Sequence, residues 1–524
     1  MLEFVQRHGS SVIGVLSGFD RLLFRGTLRR IANAAGLSSF LSHTGVLLKD
    51  FGKHSEKLTE QVKEASLAAA KEAGRPVRYL CNPSVRKEDI ARDIARRDGI
   101  SNGLICVLSA VEPCHSFEIH RDRAAKRLVL RSHQRRCLHL YHYLIHPQLG
   151  FLHARVQTWL PFNVSVCLNG REWLSRQMDA AGLGYRRRDN CFTDLQDAAR
   201  AQALMDEQLT TDWRPLLDGI LARAHPAHAQ RFGPASPYPI DPYWSVQQSE
   251  WATDVMFKSP QLLAGLYPRL VRQGMEALGS RDVLRFLGKR VPEGQSAHPN
   301  FNGQVITDLK QRPQGMRVKH AVNDNSVKMC DKQGSVLRVE TTINQTREFK
   351  VFRGTEANPK DKRFRPLRKG VADLHRRAQV SQASNLRYLE SMAAVESGTT
   401  LGQSLTPLCC PVKRDALTAR ALRPFDADDM NLLAAVGGGE FAINGFRNRD
   451  IREQLFGPDN PKDPAATRRR AGQVTRKLRM LRAHGVIRKV PRTHRYLLSD
   501  KGKQLVTLLS AAKNADAKRL TAAA

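Results

Sequence analysis

The feature that most constrains this chain lies in residues 424–515, where the order is short helix, second helix, long basic helix, hairpin, closing helix. DADDMNLLAAV (426–436) opens with acids, which suit a helix N-terminus, and runs into three glycines that stop it. GFRNRDIREQLF (445–456) reads as a second helix with Asn448 or Asp450 near its start. AATRRRAGQVTRKLRMLRAH (465–484) is the third. Its Val474, Leu478 and Leu481 fall at i, i+4 and i+7 on one core-facing stripe, and Gly485 ends it. VIRKVPRTHRYLLS predicts two short strands around a Pro-Arg-Thr-His tip, and DKGKQLVTLLSAA a last helix.

This order resembles the winged helix-turn-helix domains of bacterial MarR-like regulators. The resemblance rests on pattern over about ninety residues. It implies that the third helix enters the DNA major groove and that the wing touches the backbone or minor groove. Residues 465–498 hold eleven Lys or Arg and no Asp or Glu. Arg468, Arg469, Arg470, Arg476, Lys477, Arg479 and Arg482 lie on the third helix, and Arg488, Lys489, Arg492 and Arg495 on the wing. Gln473 and Thr475 are the neutral candidates for base-edge contacts. The alternatives are a solvated basic face, a protein-binding winged helix, or RNA contact.

Charge extends the same reading to the whole chain. Lys plus Arg number 84 against 50 Asp plus Glu, a net of +34 over 524 residues, which points to a polyanionic partner. The length favours several domains. No run of eighteen apolar residues suggests a membrane span, and the N-terminus lacks the layout of a secretory signal. The nine cysteines include no CxxC pair, so neither a disulfide framework nor a cysteine-rich zinc site is expected, and a cytoplasmic location is.

The expected fold is α+β and multidomain: a mixed α/β body with an antiparallel β-meander, plus the C-terminal winged helix-turn-helix. The expected divisions are an N-terminal α+β domain (1–224), a Pro-rich linker (225–243), a helical segment with the meander (244–396), a linker (397–423), the winged helix (424–515) and a tail (516–524). In the first domain, 55–74 reads as a helix and GLICVLSAV as a buried strand. KRLVLRS, LHLYHYLIH and FLHARVQTWL read as a β-ribbon, and NGREWLSRQMDAAGLG as a turn and helix stopped by Gly182 or Gly184. Residues 193–223 and 247–288 read as helical, and 371–396 as a helix. No internal repeat is legible.

Two regions could hold chemistry. One is the histidine cluster His139, His142, His146 and His153; its spacing matches no standard metal site, and structural or base-stacking histidines are the favoured reading. The other is KHAVNDNSVKMCDKQGSVLRVETTIN. It looks like the (K/R)-x-Y-(D/N)-K and R-(I/V)-E arrangement of rolling-circle replication initiators, with Cys330 where the aromatic usually stands. That resemblance would let Asp331 and Glu340 hold Mg²⁺ or Mn²⁺ near a phosphodiester. The favoured alternative makes Asp331 a turn residue and pairs Glu340 with Arg338 or Arg317 across the sheet. Asp20 beside Arg21 and Arg25, and Glu250 with Asp254 on one helical turn, are scattered carboxylates of lesser weight. Arg317, Lys319 and Lys328 could line a phosphate groove. No phosphate loop, dinucleotide fingerprint or nucleophile elbow is present.

GFDRLLFRGTLRR, RDGISNGLICVLSAVEPC, FLHARVQTWLPF, NGREWLSRQMDAAGLGY, VKMCDKQGSVLRVETTIN and GEFAINGFRNRD resemble an uncharacterised bacterial family of similar length. Its members occur in several copies per genome, which implies a mobile-element setting and supplies no chemistry. The leading expectation is therefore a protein that binds double-stranded DNA through the winged helix and a second nucleic-acid segment through the basic body, without membrane contact. Catalysis is left open, leaning against it. The alternatives are a metal-dependent nuclease or strand-transfer enzyme, and an RNA-binding protein.

Overall fold

The computed structural model describes residues 3–513 except 83, 234–235, 237, 290–302, 313–314, 356, 394–401, 403–404, 415–416, 442–444, 460–462 and 492. Arg492 and the tail thus lie outside the described residues. A short helix α1 (Glu3–Arg7) leads into strand β1 (Val12–Thr27). Helices α2 (Ala34–His43) and α3 (Phe51–Glu72), strand β2 (Val77–Tyr79) and helix α4 (Lys87–Arg97) follow. An antiparallel meander comes next: β3 (Gly103–Asp122), β4 (Arg127–His146), β5 (Gly150–Gln157) and β6 (Val164–Asn169). Then come α5 (Gly170–Ala180), the hairpin β7 (Tyr185–Arg188) and β8 (Cys191–Leu195), α6 (Ala198–Asp206), α7 (Trp213–Ala224) and α8 (Pro226–Phe232).

The path then repeats. Strand β9 (Tyr243–Phe257) is followed by helices α9 (Pro260–Arg272) and α10 (Ser280–Phe286). A second meander has β10 (Val305–Arg312), β11 (Gly315–Val322), β12 (Asn325–Lys332) and β13 (Val336–Ile343). The hairpin β14 (Lys350–Arg353) and β15 (Arg363–Pro366), helix α11 (Leu374–Ala393), and the hairpin β16 (Val412–Arg414) and β17 (Leu417–Ala419) complete the body.

All eleven strands β1–β6 and β9–β13 join one sheet in the order β10-β11-β12-β13-β9-β1-β6-β5-β4-β3-β2. In each half a long strand is followed by helices and a four-strand meander, and the last meander strand returns to pair with the long strand. The two long strands, β1 and β9, pair antiparallel in the middle. This is a topological repeat that the sequence does not announce.

Three expectations are corrected here. The Pro-rich segment 225–243 does not separate two sheets: Pro226 begins α8, and the chain then enters β9, which pairs with β1 along its length. Residues 243–257 are a strand rather than part of a helix. Its C-terminal half is buried on both faces, which hides the period-two alternation. KRLVLRS and LHLYHYLIH belong to a single strand, β4.

One face of the second half of the sheet carries Val318, Val327, Met329, Leu337 and Val339 against α9, α10 and α11. Helix α11 also puts polar groups on that face. Asn385 donates to the Trp251 and Val339 carbonyls at 3.0 and 2.9 Å, and Arg377 to the Val246 and Ile343 carbonyls at 2.6 and 2.9 Å. Successive strand residues point to opposite faces. Lys319, Lys328 and Glu340 therefore share the other face, with Ala252 opposite Glu340 and Gly18 opposite Ala252.

The C-terminal elements are α12 (Ala427–Val436), α13 (Asn448–Phe456), α14 (Pro464–Ala483), the hairpin β18 (Ile487–Lys489) and β19 (Tyr496–Leu498), and α15 (Asp500–Lys513). They form a core of their own, with Val474, Leu478 and Leu481 of α14 at its centre. Phe446 pairs with Tyr496 as a lone bridge beside the hairpin. The unit seats on the second half of the body, where Arg285 of α10 reaches Thr507 Oγ1 and Ser510 Oγ at 2.6 and 3.1 Å.

Candidate active site

Carboxylates from three strands meet in the middle of the sheet. Asp20 (β1), Glu250 (β9) and Glu340 (β13) each offer an oxygen within 4.8 Å of the other two. They are the only group of three or more potential metal ligands among the described residues. Asp20 reaches this point through a β-bulge: the β1–β9 register runs Phe19↔Trp251 and then Arg21↔Glu250, leaving Asp20 as the extra residue. A bulge re-aims a side chain that regular alternation would send elsewhere.

Behind the carboxylates lies a buried quartet of two aspartates and two arginines. Arg338 Nη1 donates to Asp20 Oδ1 at 3.0 Å, and its Nε and Nη2 donate to Asp254 at 2.6 and 2.8 Å. Arg171 Nη2 donates to Asp254 Oδ2 at 2.8 Å, and Arg171 Nε lies 3.8 Å from Asp20. Asn190, in the β7–β8 hairpin, donates to both Asp20 oxygens at 2.9 and 3.0 Å. The fork of each arginine suits planar carboxylate pairing, so Asp20 is held at a fixed angle.

Local sequence explains how Arg171 arrives there. Asn169 caps α5 by accepting from the Arg171 and Glu172 amides. A Cβ at position 170 would stand 1.7 Å from the Phe19 carbonyl oxygen, so only glycine lets α5 start against β1. NGRE is thus a cap, a close approach and a buried cation in succession.

Lys328 of β12 stands directly across from Glu340, with Nζ 2.5 Å from Oε1. Burial works to lower the lysine pKa, but Glu340 and Glu250 outweigh it and keep the ammonium charged. Glu250 has no hydrogen-bond or ion-pair partner among the described residues. Burial, then the Glu340 charge, push its pKa up to about 7 against the pull of Lys328. For Asp254 burial acts upward, but Arg338 and Arg171 prevail and hold the carboxyl below its usual range. The three carboxylates line a cavity of about 410 Å³ whose walls include Arg21, Arg92, Arg187 and Lys332. Ligands on opposite sides of an octahedral Mg²⁺ stand about 4.2 Å apart, so small side-chain rotations would close the triad on one ion.

The sequence-predicted residues fare unequally. Glu340 is in the cluster, paired with Lys328 rather than with Arg338 or Arg317. Asp331 is not: it lies an odd number of residues from Lys328, faces the other side of the sheet, and accepts from the Gly334 amide at 3.0 Å in the β12–β13 turn. Arg317 is tied to Asp308 at 2.7 Å, Lys319 stays partly exposed, and Lys328 belongs to the carboxylates. Glu250 and Asp254 share a strand face instead of a helix turn.

The four histidines are not brought together. His139 accepts from Arg155 at 3.0 Å, and burial pushes its pKa down to about 4. Buried His142 is likewise pushed to about 4, and His153, packed against Tyr141 and Tyr143, to about 3. His146 accepts from the Gln148 and Leu149 amides. Strand alternation puts His139 and His153 on one face and His142 and His146 on the other; His139 and His142 are buried, while His153 lines the edge of the carboxylate cavity.

On α14, Arg468, Arg469, Thr475, Arg476, Arg479 and Arg482 are exposed, as are Arg488 and Lys489 of the hairpin. Gln473 and Lys477 are half-buried, Lys477 lying 3.8 Å from Asp428. Arg470 lies over the Phe456 ring, and Thr475 Oγ1 is engaged by Ala471 and Asn448. Arg495 departs from expectation. It is buried and stacked 3.8 Å from the Phe352 ring, where it packs the hairpin onto the body instead of reaching outward.

Sequence reading missed Asp20 and Glu250 as partners of Glu340. The available signal was a carboxylate inside an apolar run, as in VLSGFDRLLF and EWATDVMF, which costs too much to bury without a partner or a role. No protein-family model, no curated protein and no solved structure matches the chain. No helix of the described residues is long and apolar enough to cross a membrane.

Proposed function

We propose that the protein is a metal-dependent phosphodiester enzyme acting on DNA, a nuclease or strand-transfer enzyme delivered to its substrate by a C-terminal winged helix-turn-helix. The observation that carries this reading is the meeting of Asp20, Glu250 and Glu340 beside a charged Lys328. Three carboxylates supply the hard oxygen ligands that Mg²⁺ or Mn²⁺ prefers. The arginine-rich quartet fixes the Asp20 carboxylate before any ion arrives, as supporting hydrogen bonds do in metal sites.

In this reading an oxygen nucleophile, water or a DNA hydroxyl, attacks phosphorus and gives up its proton to solvent. The bond from phosphorus to the leaving sugar oxygen breaks, and that oxygen takes a proton from solvent. A cation on the carboxylates would polarise the phosphoryl group and lower the pKa of the attacking oxygen. Lys328 adds a fixed positive charge for the phosphoryl oxygens. The exposed arginines of α14 and the hairpin place the duplex through its phosphates and base edges.

The test is a cleavage and strand-transfer assay on supercoiled and linear DNA with Mg²⁺ or Mn²⁺. Activity is expected with either ion, and its abolition by Glu250→Gln and by Glu340→Gln, with DNA binding retained. Activity that survives both substitutions, or that persists in chelator, would defeat the reading.

A further inference from the structure

Two strands run on past the sheet. β3 and β4 pair with each other out to Asp122↔Arg127, yet β5 accompanies β4 only over His139–His146, and β2 accompanies β3 only opposite Val107, Leu108 and Ser109. Residues 111–122 and 127–138 therefore form a two-stranded ribbon, ~40 Å long at the usual rise per residue, one face of which packs on the core as far as the Ile119–Leu130 pair, leaving residues 120–129 as its free end. Its root is anchored. Phe117, Leu130, Cys114 and Cys137 join the core of the first half, and Ser116 Oγ donates to the Leu160 carbonyl at 2.7 Å. Arg135 lies 3.7 Å over the Trp159 ring.

Beyond the root the ribbon is exposed and basic. Between His120 and Val129 the chain has Arg121, Arg123, Lys126 and Arg127 against Asp122 alone. That aspartate is used by the turn, since its Oδ1 accepts from the Ala125 amide at 3.0 Å. The nearest other acid, Glu118, lies 3.2 Å from His133. Arg121, Arg123, Lys126, Arg127 and Arg131 have no ion-pair partner among the described residues, and all are exposed. Side chains solvated for solubility alone are normally interspersed with acids; this run is not.

We propose that the free end of the ribbon, residues 120–129, is a second docking element for double-stranded DNA, set into the major groove with its arginines on the flanking phosphates. A two-stranded ribbon fits the B-form major groove, which is about 12 Å wide. The deep, narrow major groove of A-form RNA excludes it. Charge complementarity selects a polyanion, and the ribbon's width selects the B-form duplex. The surface is separate from the carboxylate cluster and works without a cation. Along the strand order it stands at the opposite side from the C-terminal unit, with the carboxylates between them.

The experiment uses the full chain, chelator, and a 30-base-pair duplex as either DNA or RNA. Arg121→Glu, Arg123→Glu and Lys126→Glu are combined at the exposed tip, where no packing is lost; a thermal melt like that of the parent checks folding. Duplex DNA affinity should fall about tenfold or more, and the slope of log affinity against log salt should lessen by about 2.7, three contacts at 0.9 each. A second variant, with residues 122–127 replaced by a two-residue Asn-Gly turn, should lose affinity likewise. Glu340→Gln should leave binding intact, which separates this surface from the catalytic reading. Unchanged affinity and slope in both ribbon variants would overturn the proposal. So would a loss of RNA-duplex binding as large as that of DNA.

Discussion

Burial and the neighbouring Glu340 charge push the Glu250 carboxyl well above the usual carboxylate range. Its folded pKa, about 7, lies above the ordinary 4.5, so the folded chain without cation holds a proton that the unfolded chain releases. Stability from this group is present below about 4.5 and lost as pH rises toward about 7. A divalent cation bound as proposed would reverse that trend by replacing the proton. Thermal melts with Mn²⁺ should show a large gain in Tm at pH 8 and little at pH 5.5; equal gains at both would contradict the assignment. Arg338 offers a second test at this scale. Arg338→Met leaves Arg171 as the only arginine beside Asp20 and Asp254 and should cost about 3–5 kcal/mol in denaturant unfolding, as breaking a buried ion pair does. Adding Asp254→Asn should recover part of the loss.

At the scale of the element, legibility followed the alternation of apolar and polar residues in the sequence. α14 could be read because one stripe is apolar and the rest is charged, and the second meander because its strands alternate. β1 and β9 could not, because buried positions lie on both faces of each and the period-two signal vanishes. The four-residue spacing of Glu250 and Asp254 then fitted a helix face as well as a strand face. Arg495 misled for a different reason: its charge suggested a DNA contact, but its position next to the bridge strand puts it against Phe352. Two contrasting outcomes follow. Arg476→Ala with Arg479→Ala should weaken duplex DNA binding and lower the salt slope by about 1.8, without changing Tm. Arg495→Ala should lower Tm, because an aromatic-stacked cation is lost from a buried contact.

For the whole molecule, the repeated path explains why the site was hidden. Asp20, Glu250 and Glu340 come from segments far apart in the chain, and they meet only because β13, β9 and β1 are neighbours in the sheet. No local pattern encodes that adjacency: the sequence singled out Glu340 and left Asp20 and Glu250 as scattered carboxylates of lesser weight, while its favoured reading of Asp331 as a turn residue matches the Gly334 contact. The C-terminal order of elements was legible because its contacts are local. Its seating on α10 through Arg285 was not, since nothing in either segment singles out the other.

The most direct test of the central claim is calorimetric titration of Mn²⁺ into the full chain at pH 8, beside Glu250→Gln and Glu340→Gln. Saturable binding in the parent chain, lost in both variants while their melts stay cooperative, is the expected result. Binding of equal affinity in all three chains, or none in the parent, would contradict a metal centre at Asp20, Glu250 and Glu340.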